Sequence, residues 1–402
     1  MHPVTAEVTI SLRDPPPQRS IEFMSSRISL HPVDVVLAST RFYSSLPVVG
    51  RHLEPFAGLT AMALWGGHYA PAAAKAAVNR RRGASAAPVA AAEAQPVLDA
   101  IADAPEAIRG SLIPPFARAR AQRRRNLYRS SVRYGGHPAQ LLDIWRRPDL
   151  PPGAPVLLFV PGGAWVQGTR VLQGHTLLAH LVRQGWVCLT MDYRVSPVHR
   201  WPRHVEDVNA AIAWARANVD RYGGDRDFVA IAGCSAGGHL AALAGLTPGD
   251  PRFRGELTED ADTSVDAVVG IYGRYDWEDR STPSRENFQG FLERVVVRDK
   301  QSRHPEIFAA ASPMGRIHAD APPFHLIHGE QDTIIPVGEA RAFHEALEAV
   351  SRNRVGYCEI PRAGHAFDLV DTSHARRCAV EAARFLGEVH TRHVESHAAA
   401  AV

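Results

Sequence analysis

The sequence predicts an α/β fold built on a mostly parallel, doubly wound sheet of about eight strands. From about residue 131 onward, short apolar runs alternate with longer amphipathic stretches, which is the pattern of strands alternating with helices. Some of these runs, such as residues 155–160, are apolar throughout, as expected of strands buried on both faces. A Gly-x-Ser-x-Gly turn at residues 233–237 joins one such strand to a helix.

Residues 1–130 are expected to form an N-terminal helical or cap segment with a linker. Apolar clusters three to four residues apart across residues 32–78 predict short amphipathic helices that pack on the larger domain. Residues 83–96 are rich in alanine, proline and serine, which is typical of a linker. Residues 55–74 carry no charged side chain, but their glycines and proline make a poor membrane span. Since no signal peptide or transmembrane helix is recognisable, we expect a cytoplasmic or cell-envelope-associated protein.

The sheet domain is expected over residues 131–390, followed by a disordered tail at residues 391–402. Its strands are predicted, in chain order, at residues 141–145, 155–160, 186–191, 228–232, 267–271, 324–328 and 355–360. Helices are predicted at residues 172–184, 204–222, 238–244, 337–350 and 375–389. The turn at residues 233–237 therefore lies at the carboxyl edge of the sheet, where open α/β folds bind ligands.

The turn around Ser235 predicts a nucleophile elbow, because a strand-like run precedes it and a helix follows. Gly233 and Gly237 flank the serine where the strand and helix backbones must pass close together, so that a β-carbon would clash. On the five residues alone, a glycine-rich loop with an incidental serine is the alternative.

Two later loops carry the partners that a serine nucleophile needs, namely a base and a group that orients the base. Asp332 follows the strand predicted at residues 324–328, and His365 follows the strand predicted at residues 355–360. Ser235, Asp332 and His365 also occur in the chain order expected of a triad built on such an elbow. We therefore predict them as the catalytic nucleophile, acid and base.

A tetrahedral intermediate also needs hydrogen-bond donors for its oxyanion, and a missing donor costs about 3–4 kcal/mol. Residues 161–165, with the sequence Pro-Gly-Gly-Ala-Trp, follow a predicted buried strand and supply small residues whose N–H groups can turn inward. The predicted oxyanion hole consists of the N–H groups of Gly163, Ala164 and Ala236. A tight glycine turn without a catalytic role is the alternative.

With these motifs, the chain resembles carboxylesterases of the hormone-sensitive-lipase-like branch of the α/β-hydrolases, and in particular the mycobacterial and actinobacterial Lip-type esterases. The resemblance covers about residues 130–390, and residues 32–70 more loosely. The family's His-Gly-Gly-Gly-aromatic motif corresponds to residues 161–165, its Asp-Tyr-Arg motif to residues 192–194, and its acidic helix start to residues 206–207. Pro161 replaces the motif histidine and removes a side chain that could hold the loop, whereas Ala164 replaces a glycine whose N–H it retains.

The resemblance implies an α/β-hydrolase fold and a serine carboxylester hydrolase that forms an acyl-enzyme on a small-molecule ester. It implies no metal and no organic cofactor. In the family, N-terminal helices and an insertion after the strand at residues 267–271 form a cap over the serine, which implies short- to medium-chain acyl esters. Hydrolysis of amides or formamides by the same triad, and a non-catalytic lipid-binding homologue, remain open alternatives.

Three further positions have specific structural interpretations. Asp192-Tyr193-Arg194 is expected to pin the oxyanion loop, with substrate contact as the alternative. Asp207 is expected to cap or brace its helix, with a surface role as the alternative. His239, one turn into the elbow helix, is expected to be packed and not catalytic.

The charge distribution does not indicate a nucleic-acid partner, because the net charge is only +3. The basic residues are concentrated in the first part of the chain, which carries +7 over residues 1–130 against −4 over the remainder. The arginine runs at residues 80–82 and 123–125 fit a solvated linker, or peripheral contact of the N-terminal segment with a membrane or lipid. The four cysteines form no Cys-x-x-Cys pair, so neither a disulfide framework nor a zinc site is predicted. The oligomeric state is left open.

Overall fold

A computed structural model describes residues 115–400 of the 402-residue chain. The helices predicted at residues 32–78 and the linker at residues 83–96 lie outside the described residues. The strands, in chain order, are β1 (Leu127–Arg133), β2 (Leu141–Trp145), β3 (Ala154–Val160), β4 (Val187–Met191), β5 (Gly224–Cys234), β6 (Ala267–Ile271), β7 (Phe324–Gly329) and β8 (Val355–Ile360).

These strands form a single eight-stranded sheet in the order β1-β2-β4-β3-β5-β6-β7-β8. The pairs β1–β2 and β2–β4 are antiparallel, and all the others are parallel. The helices are α1 (Pro115–Asn126), α2 (His175–Arg183), α3 (Arg203–Asn218), α4 (Ala236–Leu246), α5 (Pro283–Phe291), α6 (Pro305–Ala311), α7 (Val337–Val350) and α8 (Ser373–Ala400). The predicted α/β-hydrolase architecture is thereby confirmed.

The core lies on both faces of the sheet because the central strands are apolar on both sides. In β3, Leu157 and Phe159 pack into the cluster that includes α2 and α8, whereas Leu158 and Val160 pack into the cluster that includes α3 and α4. All four side chains are fully buried. Hydrophobic packing on both faces thus holds the carboxyl ends of the central strands β3 and β5 and fixes the loops that follow them.

All seven predicted strands are present, and the strand β1 is the one that the sequence does not predict. Its sequence, Leu-Tyr-Arg-Ser-Ser-Val-Arg, carries no apolar periodicity, and most of its side chains are exposed. β1 forms at the sheet edge by pairing with β2, in a register that shifts twice. Edge strands need little burial on either face, so hydrophobic pattern alone does not reveal them.

The helix α1 joins the arginine-rich residues before β1 to the sheet domain, so the predicted domain start at residue 131 is too late. Arg118 forms an ion pair with Asp371 at 2.9 Å, and its guanidinium also donates to the Asp371 carbonyl at 2.6 Å. Arg123 pairs at 2.5 Å with Asp143, a fully buried carboxylate of β2. The second arginine run thus includes a structural ion pair, which the solvated-linker interpretation does not anticipate.

The C-terminal residues also differ from the prediction, because α8 continues to Ala400 where a disordered tail is expected from residue 391. The rings of His390 and His393 lie 4.8 and 5.0 Å from the ring of Phe228. These contacts give the last turns of the helix a packed face. Among residues 115–400, no helix is both long enough and apolar enough to span a bilayer.

Candidate active site

Ser235 lies between β5 and α4 in a backbone conformation that only a sharp turn imposes. Its φ and ψ are 55° and −119°, and positive φ is strained for a residue with a side chain. The Ser235 N–H donates to the carbonyl of Ile271 at 2.9 Å, which ties the turn to β6. A β-carbon on Gly237 would collide with the carbonyl oxygens of Val160 and Pro161, so this position requires glycine. The predicted elbow is therefore present.

The structure brings Ser235, His365 and Asp332 together although they are far apart in the sequence. The His365 Nε2 lies 3.0 Å from the Ser235 Oγ, and its Nδ1 lies 2.7 Å from Oδ2 of Asp332. Asp332 is buried, whereas Ser235 and His365 remain partly exposed and can meet a substrate. Since an ionised carboxylate only accepts hydrogen bonds, Nδ1 carries the proton and Nε2 faces the hydroxyl as an acceptor.

The Asp332 carboxylate is held in place by four donors. Its Oδ1 accepts from the N–H groups of Ile334 and Ile335, each at 2.9 Å. Its Oδ2 accepts from His365 and lies 3.3 Å from Nε2 of the buried His328. Burial favours the protonated acid, but the hydrogen bonds from His328, His365 and Ile335 outweigh burial and hold the Asp332 pKa well below its usual value. Asp332 is therefore ionised at neutral pH.

The predicted oxyanion residues lie in a loop of unusual backbone geometry. Gly163, Ala164 and Trp165 all have positive φ values, of 133°, 51° and 58°. Within residues 115–400, the N–H groups of Gly163 and Ala164 have no hydrogen-bond acceptor in the protein. The N–H of Ala236, at the first position of α4, lacks an intrahelical acceptor as well. These three donors are thus available to a ligand next to Ser235.

The oxyanion loop is held by the residues that follow β4. The Tyr193 hydroxyl donates to the carbonyl of Pro161 at 3.0 Å and lies 3.3 Å from the carbonyl of Gln167. The Trp165 carbonyl accepts from the Ser196 N–H at 2.8 Å. The contacts of Tyr193 agree with the expectation that Asp192-Tyr193-Arg194 pins the loop.

Asp207 braces this arrangement from within the core. It is fully buried and accepts from the Arg194 N–H at 2.6 Å and from the Arg194 guanidinium at 2.6 and 3.0 Å. The Gln140 side chain donates to the same carboxylate at 2.7 Å. Asp207 therefore does not cap α3 but braces it against the residues that follow β4, and the alternative of a surface role is wrong.

The ring of His239 is packed among aromatic side chains, and the hydrogen bonds of its two nitrogens go to Trp165 and Ala311. It is fully buried and stacks on Trp277 with ring centroids 4.5 Å apart. Its Nε2 lies 2.7 Å from the Ala311 carbonyl, and its Nδ1 accepts from the indole N–H of Trp165 at 3.3 Å. Burial lowers the His239 pKa to about 3, so the ring is neutral and structural.

Three polar residues near the triad are not anticipated from the sequence: His328, Gln173 and Asp368. His328 contacts the acid, and Gln173 contacts the oxyanion loop. Asp368 accepts from the hydroxyl of Tyr272, and the ring of Tyr272 lies 4.7 Å from that of His365. Only His328 gives a sequence signal, since it ends a predicted strand four residues before Asp332.

In the part of the chain that the structure describes, no three His, Cys, Asp or Glu side chains form a group that could hold a metal.

The chain is similar to a known protein family and to named esterases. The BD-FAE family profile matches residues 142–347. Esterase LipC of Mycobacterium tuberculosis is 54% identical over 371 residues, which cover 89% of this chain and 92% of LipC. The chain belongs to the BD-FAE family, with the Lip-type esterases. The predicted family and enzyme class, a carboxylester hydrolase, are confirmed.

Other relatives agree with this family. The probable carboxylic ester hydrolase LipM of the same organism is 45% identical over 275 residues, which cover 67% of this chain and 64% of LipM. Among solved structures, esterase Est2 of Thermogutta terrifontis superposes with a TM-score of 0.55. The superposition covers 64% of this chain and 91% of Est2, and at 23% identity it supports the fold alone.

Proposed function

We propose that this BD-FAE family member hydrolyses small-molecule carboxylic esters with Ser235 as nucleophile, His365 as general base and acid, and Asp332 as the orienting carboxylate. One observation carries the proposal: His365 bridges the Ser235 hydroxyl and the buried Asp332 carboxylate with both ring nitrogens in hydrogen-bond range. The same bridge argues against a non-catalytic homologue, because a binding module has no need of a base aligned on a strained serine.

The reaction proceeds in two halves. As Oγ of Ser235 attacks the ester carbonyl carbon, Nε2 of His365 takes its proton and Asp332 stabilises the imidazolium. The carbonyl oxygen becomes an oxyanion that accepts from the N–H groups of Gly163, Ala164 and Ala236. The intermediate collapses, the alcohol leaves with the proton from His365, and an acyl-serine remains. A water that transfers a proton to His365 then attacks the acyl carbon. The second tetrahedral intermediate breaks its bond to Oγ of Ser235, which takes that proton from His365, and the carboxylic acid is released.

Labelling with an organophosphonate tests the nucleophile. The phosphorus is expected on Ser235, identified by mass spectrometry of the peptides, and Ser235→Ala is expected to fold with an unchanged Tm and to resist labelling. Its esterase kcat should fall by roughly 10⁴-fold or more, since the proposed acyl-enzyme forms on the Ser235 hydroxyl. Comparable turnover by the purified Ser235→Ala variant would refute the assignment.

The acyl group is expected to be short to medium in length. In support, the residues beside the oxyanion loop fill one another's space: Trp165 contacts both His239 and Trp277, with ring centroids 5.1 and 4.9 Å apart, and all three are buried. A long acyl chain directed past Trp165 would have to displace these rings. Each further methylene contributes roughly 0.8 kcal/mol only while apolar space remains to receive it.

A series of p-nitrophenyl esters from acetate to palmitate tests the chain length, with kcat/KM as the readout. We expect a maximum at short to medium chains and a decline beyond them. The same series with residues 1–78 deleted tests the proposal that the N-terminal segment is part of the cap, which lies outside the described residues. An unchanged profile in the truncated protein would remove that segment from the cap.

Peripheral lipid contact through the N-terminal segment is the competing proposal, and its support is the apolar load of residues 32–78 beside the arginines at residues 80–82. Rising activity toward palmitate, together with co-sedimentation with anionic vesicles that residues 1–78 confer, would favour it over a closed cap.

A further inference from the structure

Gln173 connects the two halves of the candidate active site. Its Oε1 accepts from the N–H of Gly162 at 2.6 Å and from the thiol of Cys234 at 3.1 Å. Gly162 directly precedes the oxyanion residue Gly163, and Cys234 directly precedes Ser235. One side-chain oxygen therefore holds both the backbone that precedes the oxyanion donors and the Cys234 side chain that precedes the nucleophile.

The orientation of the amide follows from its neighbours. Both groups that face Oε1 are donors, so the oxygen and not the NH₂ group must point at them. The thiol remains a donor because burial raises the pKa of Cys234 well above its ordinary value. Gly162 is itself buried, so without Oε1 its N–H would have no acceptor, and the loop would have to move to find one.

Gln173 is in turn held in place by the start of α2. Gly174, the next residue, has a φ of 73°, and a β-carbon there would lie 2.6 Å from the ring of Phe159. This close approach to a fully buried ring leaves the backbone little freedom. The Gln173 side chain thus extends from a fixed point toward the loop.

This contact also accounts for a departure from the family motif. Pro161 stands where the motif has a histidine, and proline has neither an N–H nor a polar side chain with which to anchor the loop. Tyr193 holds the Pro161 carbonyl from one side, and Gln173 holds the Gly162 N–H from the other. Between them, these two contacts fix the plane of the Pro161–Gly162 peptide, which directly precedes the peptide that carries the Gly163 N–H.

We propose that Gln173 is a positioning residue of the oxyanion hole: it fixes the Pro161–Gly162 peptide, and thereby the point from which the next peptide directs the Gly163 N–H at the developing oxyanion. This inference rests on the proposed function of Ser235. A residue that acts only on the oxyanion should change the stabilisation of the tetrahedral intermediate more than the binding of the ground-state ester.

The test is Gln173→Met, which keeps the side-chain length and removes the acceptor oxygen, with Gln173→Ala as a second variant. On p-nitrophenyl butyrate we expect kcat to fall roughly 10–100-fold, less than for the loss of an oxyanion donor itself, while KM changes by less than about threefold. The inhibition constant of an alkyl trifluoromethyl ketone, which forms a tetrahedral adduct with an oxyanion, should rise by the factor by which kcat/KM falls. The matched control is Gln184→Met at the exposed end of α2, which is expected to behave as wild type.

Titration with the organophosphonate gives the concentration of competent sites, so that kcat is expressed per folded active site. If both Gln173 variants keep kcat within twofold of wild type, the positioning role is refuted. It is also refuted if a rise in KM accounts for the whole fall in kcat/KM. A fall in titratable sites and Tm with unchanged kcat per site would assign Gln173 to folding and would also refute it. Failure of the wild-type protein itself to be labelled at Ser235 would instead refute the proposed function.

Discussion

Replacing the acid, Asp332→Asn, tests the triad because the surrounding donors dictate how the new amide must sit. The oxygen Oδ1 accepts from two backbone N–H groups of a fixed loop, those of Ile334 and Ile335. An NH₂ group on that side would face two immovable donors. The amide oxygen therefore stays there, and the NH₂ group takes the place of Oδ2 opposite Nδ1 of His365.

This orientation changes the tautomer of His365. With a donor opposite Nδ1, the ring protonates on Nε2, and an Nε2–H cannot accept the Ser235 proton. The fold should persist, because the asparagine retains the contacts to Ile334 and Ile335. Loss of the correct tautomer costs about 10⁴-fold in kcat in triads of this type. That factor corresponds to about 5 kcal/mol of activation free energy.

The assay is kcat and KM on p-nitrophenyl butyrate from pH 6 to 9, with Tm as the check of folding. Glu330→Gln is the matched control, because Glu330 lies two residues away and accepts from the Arg362 N–H at 2.8 Å, which a glutamine can also do. It should retain wild-type activity. If Asp332→Asn keeps kcat within tenfold of wild type, or if Glu330→Gln is the variant that loses activity, Asp332 is not the acid.

Two further predictions concern stability. Asp207→Ala leaves the buried Arg194 guanidinium without its closest carboxylate and should cost about 3–5 kcal/mol, whereas Asp149→Ala, at an exposed ion pair, should be nearly neutral. Differential scanning calorimetry should show Tm lower by roughly 6–20 °C for the first variant, and a change under 2 °C would contradict the bracing role. Burial favours protonation of Asp250, but hydrogen bonds from Arg252 and Arg316 lower its pKa to about 2. This folded-state pKa lies below the ordinary value, so the Tm of wild type should exceed that of Asp250→Asn by its full amount above pH 4. The difference in Tm should shrink as the pH falls toward 2. A difference that stays constant over that interval would contradict the proposed ion pairing of Asp250.

The sequence by itself determines the fold and the identity of the triad candidates. Strands buried on both faces must be apolar throughout, so β3 and β5 can be predicted from the sequence. Parallel strands bring the loops that follow them to one edge of the sheet. Ser235, Asp332 and His365 each follow such a strand, and their proximity therefore follows from the order of the strands along the chain. The edge strand β1 and the last turns of α8 escape this reasoning because their stability comes from pairing with β2 and from packing on Phe228.

Only the tertiary structure decides which polar residues hold the reacting groups in place. Three such residues, His328, Gln173 and Asp207, come from separate parts of the chain. The sequence pattern does not identify the hydrogen-bond partner that fixes each of them. Gln173 shows the reason most clearly. A glutamine at the start of a helix is ordinary in a sequence, and its role depends on a single oxygen lying 2.6 Å from the N–H of Gly162. Such a distance results from the packing of α2 against β3, since side-chain hydrogen bonds are short in range and directional, whereas hydrophobic burial is neither.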